Sequence, residues 1–255
     1  MKTLTKVINL EGIGLHTGRY ITCKILPDEQ NPIHFIRTDR DDKPIVAETH
    51  QVWQTHWCTQ IATHGNNSVS TIEHLMAALT LHEIDHARIE LNGEEVPILD
   101  GSAIIWSRQI VARGIPEKRK HSSLMKVVQK GDSCVILWAH SQTNIHASIQ
   151  FGEWYESYHY DGQIHQIMGA RSFVLEEWVE HLKQKQLIQG GKLTNALVKM
   201  KEGWKNGPPR WENEAARHKV LDLMGDLSLA KVSKKHMMIS YKSGHALHIQ
   251  MAKAI

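Results

Sequence analysis

Both halves of this chain run through the same order of apolar spacing, strands first and a helix after, and that order restricts the fold more than any composition figure. Alternation between two faces marks a half-buried strand, whereas apolar residues three and four apart mark a helix. Tyr20 to Leu26 and Ile33 to Ile36 read as short strands, separated by the turn-rich Pro27-Asp28-Glu29-Gln30-Asn31-Pro32. A helix is predicted over Ser70 to Leu81, capped by Ser70 or Thr71, with Glu73 completing a capping-box pattern. Ala87 to Leu91 then alternates as a strand before the turn signal Asn92-Gly93, and Ala103 to Arg113 looks helical.

The second half repeats the order loosely. Strands are expected at Met125 to Val128, Cys134 to Trp138 and Ile145 to Phe151, then a helix at Leu175 to Lys185. A long helix spans about Glu212 to Ala230, Met237 to Tyr241 reads as a strand, and a last helix starts near Ala246. The polar, basic stretch Arg113 to Ser123 is the candidate domain boundary. The expectation is an α+β fold of two domains, 1–115 and 124–255, each a β-sheet packed with α-helices. A chain of 255 residues is comfortable for two such units.

Charge and cysteines narrow the function classes. The net charge of +3 is too mild for a nucleic-acid module, and no basic–aromatic patch stands out, but it suits an anionic ligand such as a nucleotide diphosphate. Cys23, Cys58 and Cys134 are scattered and odd in number, which reads as reduced intracellular thiols rather than a disulfide framework. The N-terminal stretch lacks the apolar core of a signal peptide, and no segment has the length to span a bilayer. The expectation is a cytoplasmic monomer with at most peripheral membrane contact.

Four places carry chemistry. On the long helix, His218, Asp222 and Asp226 are spaced four apart and share one face. That spacing fits a pair of metal ligands and fits equally a solvated polar stripe. On the earlier helix, Glu73 and His74 point about a hundred degrees apart, so one can bind a metal while the other reaches its water; the alternative is a cap residue beside a half-buried histidine. Ser243-Gly244-His245 follows a predicted strand, where a histidine suits a pocket mouth, with Asp226 as a partner, or is a simple turn. His82-Glu83-Ile84-Asp85-His86 matches the H-E-x-x-H pattern of zincin proteases, but the segment straddles a predicted helix end, whereas the zincin motif needs an unbroken helix.

Taken in order, several stretches resemble the UDP-3-O-acyl-N-acetylglucosamine deacetylases of lipid A biosynthesis. They are Gly12-Ile13-Gly14-Leu15-His16-Thr17-Gly18, Ser70-Thr71-Ile72-Glu73-His74-Leu75-Met76-Ala77-Ala78-Leu79 and Val96-Pro97-Ile98-Leu99-Asp100-Gly101-Ser102-Ala103. Ala170-Arg171-Ser172-Phe173, Gly190-Gly191, Arg217 to Asp222 with Gly225-Asp226-Leu227, and Lys242 to Leu247 complete the set. The resemblance implies a zinc-dependent amidohydrolase acting on a UDP-linked acyl-glucosamine, with the active site between the two domains. It implies zinc ligands at His74, His218 and Asp222, and the same ligand types would also accept Fe2+. It implies Glu73 as general base, His245 beside the metal, Asp226 orienting His245, and Ser172 as an oxyanion contact. Lys219, Phe173, Gly191 and Lys192 would meet substrate. Two residues depart from the family pattern: Ser172 stands where threonine is usual, and Lys192 falls in a segment that elsewhere lines a greasy acyl passage. The competing classes are a catalytically silent paralogue that binds the nucleotide sugar, and a zincin protease using His82, Glu83 and His86.

Overall fold

The computed structural model describes residues 1–41, 43–63, 67–115, 125–231 and 235–255. Each half builds a five-stranded sheet, and the two sheets have the same strand order. In the first the order is Ile8–Ile13, Tyr20–Leu26, Arg88–Leu91, His34–Arg37, Ile45–Val46. In the second it is Lys126–Lys130, Ser133–Ala139, His236–Tyr241, Asn144–Phe151, Trp154–Tyr160. In both, the last strand in sequence inserts at the centre, antiparallel to the second strand and parallel to the third. A parallel neighbour requires a crossover, and a helix supplies it each time. That helix is α1 (Glu73–Leu81) in the first half and, in the second, α5 (Glu214–Ser228), which follows α2 (Ile104–Gln109), α3 (His165–Met168) and α4 (Glu176–Gln184) in the chain. α6 (His245–Ala254) closes the chain.

The two crossover helices pack on each other, and this contact creates the core between the halves. Every residue of α1 is buried, including Glu73 and His74. A helix that meets neighbours all round belongs inside a protein, so polar groups on it must be partnered or functional. α5 is nearly as enclosed, with Arg217 and Lys219 on its more open side. Gly225 lies at the crossing, where a Cβ would fall 2.1 Å from the Glu73 carbonyl oxygen.

Several expected elements differ. The helix predicted from Ser70 begins at Glu73, with Ile72 as its N-cap and no side-chain capping bond, so the capping box is not formed. Ser70 is instead held extended: its backbone bridges to Glu95, and its hydroxyl donates to the Glu94 carbonyl. Thr71, at φ 56°, gives its hydroxyl to Glu95. The helix expected over Ala103 to Arg113 stops at Gln109, because Ala112–Gly114 pairs with Lys2–Leu4. The strand Trp154–Tyr160 was not expected; its buried positions are Tyr158 and Tyr160 rather than aliphatic residues. The predicted boundary begins inside the Ala112–Gly114 pairing, and its residues 116–123 lie outside the described residues.

The zincin reading is overturned. α1 ends at Leu81, Glu83 adopts φ 62°, and the next strand starts at Arg88, so no helix carries both histidines. The His82 ring meets the Ser107 hydroxyl at 2.7 Å, and the His86 ring meets Asp85 at 2.9 Å.

Candidate metal centre

The α1–α5 contact brings one histidine of α1 against two residues of α5. His218 Nε2 lies 3.2 Å from Asp222 Oδ1, and His74 Nε2 lies 3.7 Å from the same oxygen. The three ligand atoms lie within 4.8 Å of one another, and all three residues are buried. The Ala170 carbonyl can only accept, so the His218 Nδ1 that meets it at 3.0 Å carries the ring proton. Nε2 therefore turns a lone pair toward Asp222 Oδ1, a buried oxygen with no hydrogen-bond partner among the described residues. A lone pair facing a buried anionic oxygen is repulsive unless a cation sits between them, so the residues fit a metal ion.

The charges agree with this fit. Burial first, then the neighbouring His218, pushes His74 down to about 3, and burial likewise lowers His218. Burial would raise Asp222, but His218 and Lys219 beside it hold its carboxyl well below the ordinary range. Two neutral imidazoles and an ionised carboxylate form a ligand set that needs no deprotonation before it binds a divalent metal. Lys219 Nζ donates to Asp222 Oδ2 at 2.7 Å, so this lysine meets the ligand's second oxygen directly.

Beside the cluster sits a second group of titrating side chains. Burial, reinforced by Asp226 and Asp222 and opposed by His245, pushes the Glu73 carboxyl up to about 7. Burial would lower His245, but the charge of Asp226 and its hydrogen bond to Nδ1 at 2.8 Å outweigh it and raise the imidazolium to about 9. An acid near neutrality beside a cation above it is an arrangement suited to moving protons at physiological pH.

The three candidate ligands, Glu73 and His245 face a cavity of about 390 Å³ that also takes in Ser172, Phe173 and Lys219. Ser172 lies on the wall shared with a larger cavity of about 560 Å³, lined by Leu15, Val179, Leu182 and Ile188 and reaching Gly191 and Lys192. Ser172 is fixed by its neighbours: its N–H donates to the Gly101 carbonyl at 2.7 Å, and Arg171 forks onto the buried Glu214. The Gly190 turn is pinned to the first half, where its N–H donates to the Leu15 carbonyl at 3.0 Å.

The family profile of UDP-3-O-acyl N-acetylglycosamine deacetylases, LpxC, matches residues 1–255. The chain belongs to this family. A UDP-3-O-acyl-N-acetylglucosamine deacetylase of Trichormus variabilis is 37% identical over 272 residues, covering 99% of this chain and 97% of the relative. One from Thermosynechococcus vestitus is 34% identical, covering 100% and 93%. A probable deacetylase of Arabidopsis thaliana, labelled mitochondrial, is 32% identical and covers 99% and 86%. The chain is thus a member of a family of amidohydrolases, and its α+β fold is that of the family.

Within the deacetylase frame, two buried residues join the site that the sequence did not point to. Thr59 donates its hydroxyl to Asp226 Oδ1, and His248 meets Asp226 Oδ2 at 2.8 Å. His248 carried a readable signal, since it lies one turn beyond His245 on α6. Thr59 carried none; it precedes the short strand Gln60–Ala62 in a polar stretch.

Proposed function

We propose that the chain hydrolyses the acetamide of a UDP-3-O-acyl-N-acetylglucosamine, giving acetate and the free amine, the committed step of lipid A biosynthesis, with zinc as its ion and Fe2+ as a substitute. The observation that carries this reading is Asp222 Oδ1, unpartnered among the described residues, facing His74 and His218, with Glu73 next to His74 in the chain. Zinc bound there would act as a Lewis acid on the carbonyl and make water acidic enough to attack near neutral pH.

The chain's own residues supply the rest. Glu73, with one carboxylate oxygen held by the Thr59 N–H, accepts the proton of the attacking water. The carbonyl oxygen gains charge as the carbonyl carbon becomes tetrahedral; the Ser172 hydroxyl and the His245 cation stabilise it. An amine leaves only when protonated. His245, kept cationic by Asp226, delivers that proton, and Glu73 returning its own is the alternative route. Phe173 stands edge-on to His218, with ring centroids 6.4 Å apart, and walls the sugar side. The larger cavity takes the acyl chain, with Gly191 and Lys192 at its rim, and Lys219, on the wall of the smaller cavity, meets the diphosphate with the donors that its bond to Asp222 leaves.

The two domains of this reading are 1–115 and 124–255, each holding one five-stranded sheet. A cytoplasmic monomer is part of the same proposal; the three free cysteines support the compartment, since thiols stay reduced there. Among the described residues no helix is long and apolar enough to cross a membrane.

The test is release of free amine from the acylated UDP-sugar by purified protein, with bound metal counted on the same sample. Turnover with about one metal per chain supports the reading. Metal without turnover across several acyl lengths refutes it in favour of a silent binder. His74→Ala should lose the metal, and full retention would remove His74 from the ligand set.

A further inference from the structure

The proton-handling side chains stand on three separate helices: Glu73 on α1, Asp226 on α5 and His245 on α6. Thr59, in the loop ahead of Gln60–Ala62, touches two of these arms at once. Its backbone N–H donates to Glu73 Oε2 at 3.0 Å, and its hydroxyl donates to Asp226 Oδ1 at 2.5 Å. Its carbonyl accepts the Ile72 N–H at 3.4 Å, which ties it to the entry of α1. The residue is fully buried, so water does not compete for these bonds. A backbone N–H can only donate and the ionised Asp226 carboxylate only accepts, so both donor directions are set.

The two oxygens of Asp226 are used differently. Oδ2 accepts from His245 Nδ1 and from His248 Nδ1, each at 2.8 Å. Oδ1 takes the Thr59 hydroxyl. The terminal torsion of an aspartate is broad, so a carboxylate held at one oxygen alone can swing. A donor on Oδ1 stops that swing and keeps Oδ2 aimed at His245. The same residue's N–H stops the Glu73 carboxyl from turning away. Relative placement of two catalytic arms matters steeply, since shifts near 1 Å cost on the order of a hundredfold.

We propose that Thr59 is a positioning residue for the hydrolysis, one that sets the geometry between the Glu73 arm and the Asp226–His245 arm through its two hydrogen bonds. The inference rests on the functional reading above. If Thr59 were only core filling, an isosteric apolar side chain would serve equally well.

Thr59→Val keeps the shape and the N–H to Glu73 and deletes the hydroxyl. The expected result is a fall in kcat of about tenfold to a hundredfold, the usual range for a lost supporting bond. KM and metal content should stay within about twofold, because no substrate or metal contact is removed. Thr59→Ser should recover most of the lost kcat. In an Asp226→Ala background, Thr59→Val should add less than about twofold, since the hydroxyl's target is gone. Full kcat in Thr59→Val, or the same fractional loss with and without Asp226, overturns the proposal. Thr59→Cys, of similar size with a weak S–H donor, is the second variant should valine not fold; its kcat should lie below that of serine, and wild-type kcat there also overturns the proposal. If wild-type protein releases no amine, the functional reading fails and this inference falls with it. If wild-type protein is active and Thr59→Val matches it, the inference alone fails.

Discussion

Substituting Gly225 by alanine should damage the protein, although glycine to alanine inside a helix ordinarily helps. Gly225 lies within α5, where the exchange would normally stabilise by about 1 kcal/mol through lost backbone freedom in the unfolded chain. Here the new Cβ would sit 2.1 Å from the Glu73 carbonyl oxygen and 2.9 Å from its carbonyl carbon, where ordinary contact begins at 3.4 Å. Both obstacles are backbone, so no side chain can rotate aside. The helices must part by roughly 1 Å, and overpacking of this kind costs about 1–3 kcal/mol. The net is a loss of about 1 kcal/mol, equivalent to a drop in Tm of about 2–4 °C for a chain of this size. Function should suffer more than stability. The displaced residue is Glu73, and His74 follows it, whereas His218 and Asp222 stay with α5. A shift near 1 Å between ligands on facing helices should weaken metal binding and cut kcat by about a hundredfold. Thermal denaturation, chelator competition and single-turnover rates measure the three effects. A variant that melts higher, holds its metal and turns over normally would show that the α1–α5 contact does not set the site's geometry.

Glu73→Ala should keep the metal while losing about a hundredfold to ten-thousandfold in kcat, read by metal analysis beside the amine assay; loss of the metal would instead make Glu73 part of the ligand set. Asp226→Asn should move the alkaline limb of the kcat profile downward. His245 is raised to about 9 against burial by the Asp226 charge and hydrogen bond, so without that charge burial dominates and the cation is lost nearer neutrality; a limb that stays near 9 would place the cation elsewhere. Glu214 concerns acid stability. Burial would raise its carboxyl, but the Arg171 side-chain and backbone bonds and the Arg210 N–H hold it below its ordinary 4.5. A depressed folded value means the stabilisation is complete above that ordinary value and is lost as pH falls through the folded one. Glu214→Gln should therefore lower stability at neutral pH by about 3 kcal/mol, by leaving Arg171 unpaired, and flatten the acid-side loss in denaturant titrations; an unchanged acid profile would refute the linkage.

Local pattern was legible wherever one face of an element decides its burial. Tyr20 to Leu26 alternates and forms a strand over those same residues, with Ile21, Cys23 and Ile25 turned inward. The long helix and the Leu175 to Lys185 helix were legible to within two residues at each end. The ordered blocks also pointed to the deacetylase family across the whole chain. What failed were residues whose neighbours come from elsewhere. Ser70 looks like a helix cap in sequence, but Glu94 and Glu95, some two dozen residues later, take its hydroxyl and backbone. The helix end that breaks the H-E-x-x-H match, by contrast, was legible, since the predicted helix and α1 both stop at Leu81.

The sequence by itself determined which side chains stand together on each helix, because the helical repeat places His218, Asp222 and Asp226 on one face whatever lies opposite. It also determined the α+β order of elements, since apolar period is a local property. Only the tertiary structure decided that α1 crosses α5 at Gly225, so that His74 meets His218 and Asp222. Only the tertiary structure buried Glu73 and His245 beside each other's partners and drove their pKa values to about 7 and about 9. Those shifts come from desolvation and from charges on other segments, and neither quantity exists until the chain has closed around them.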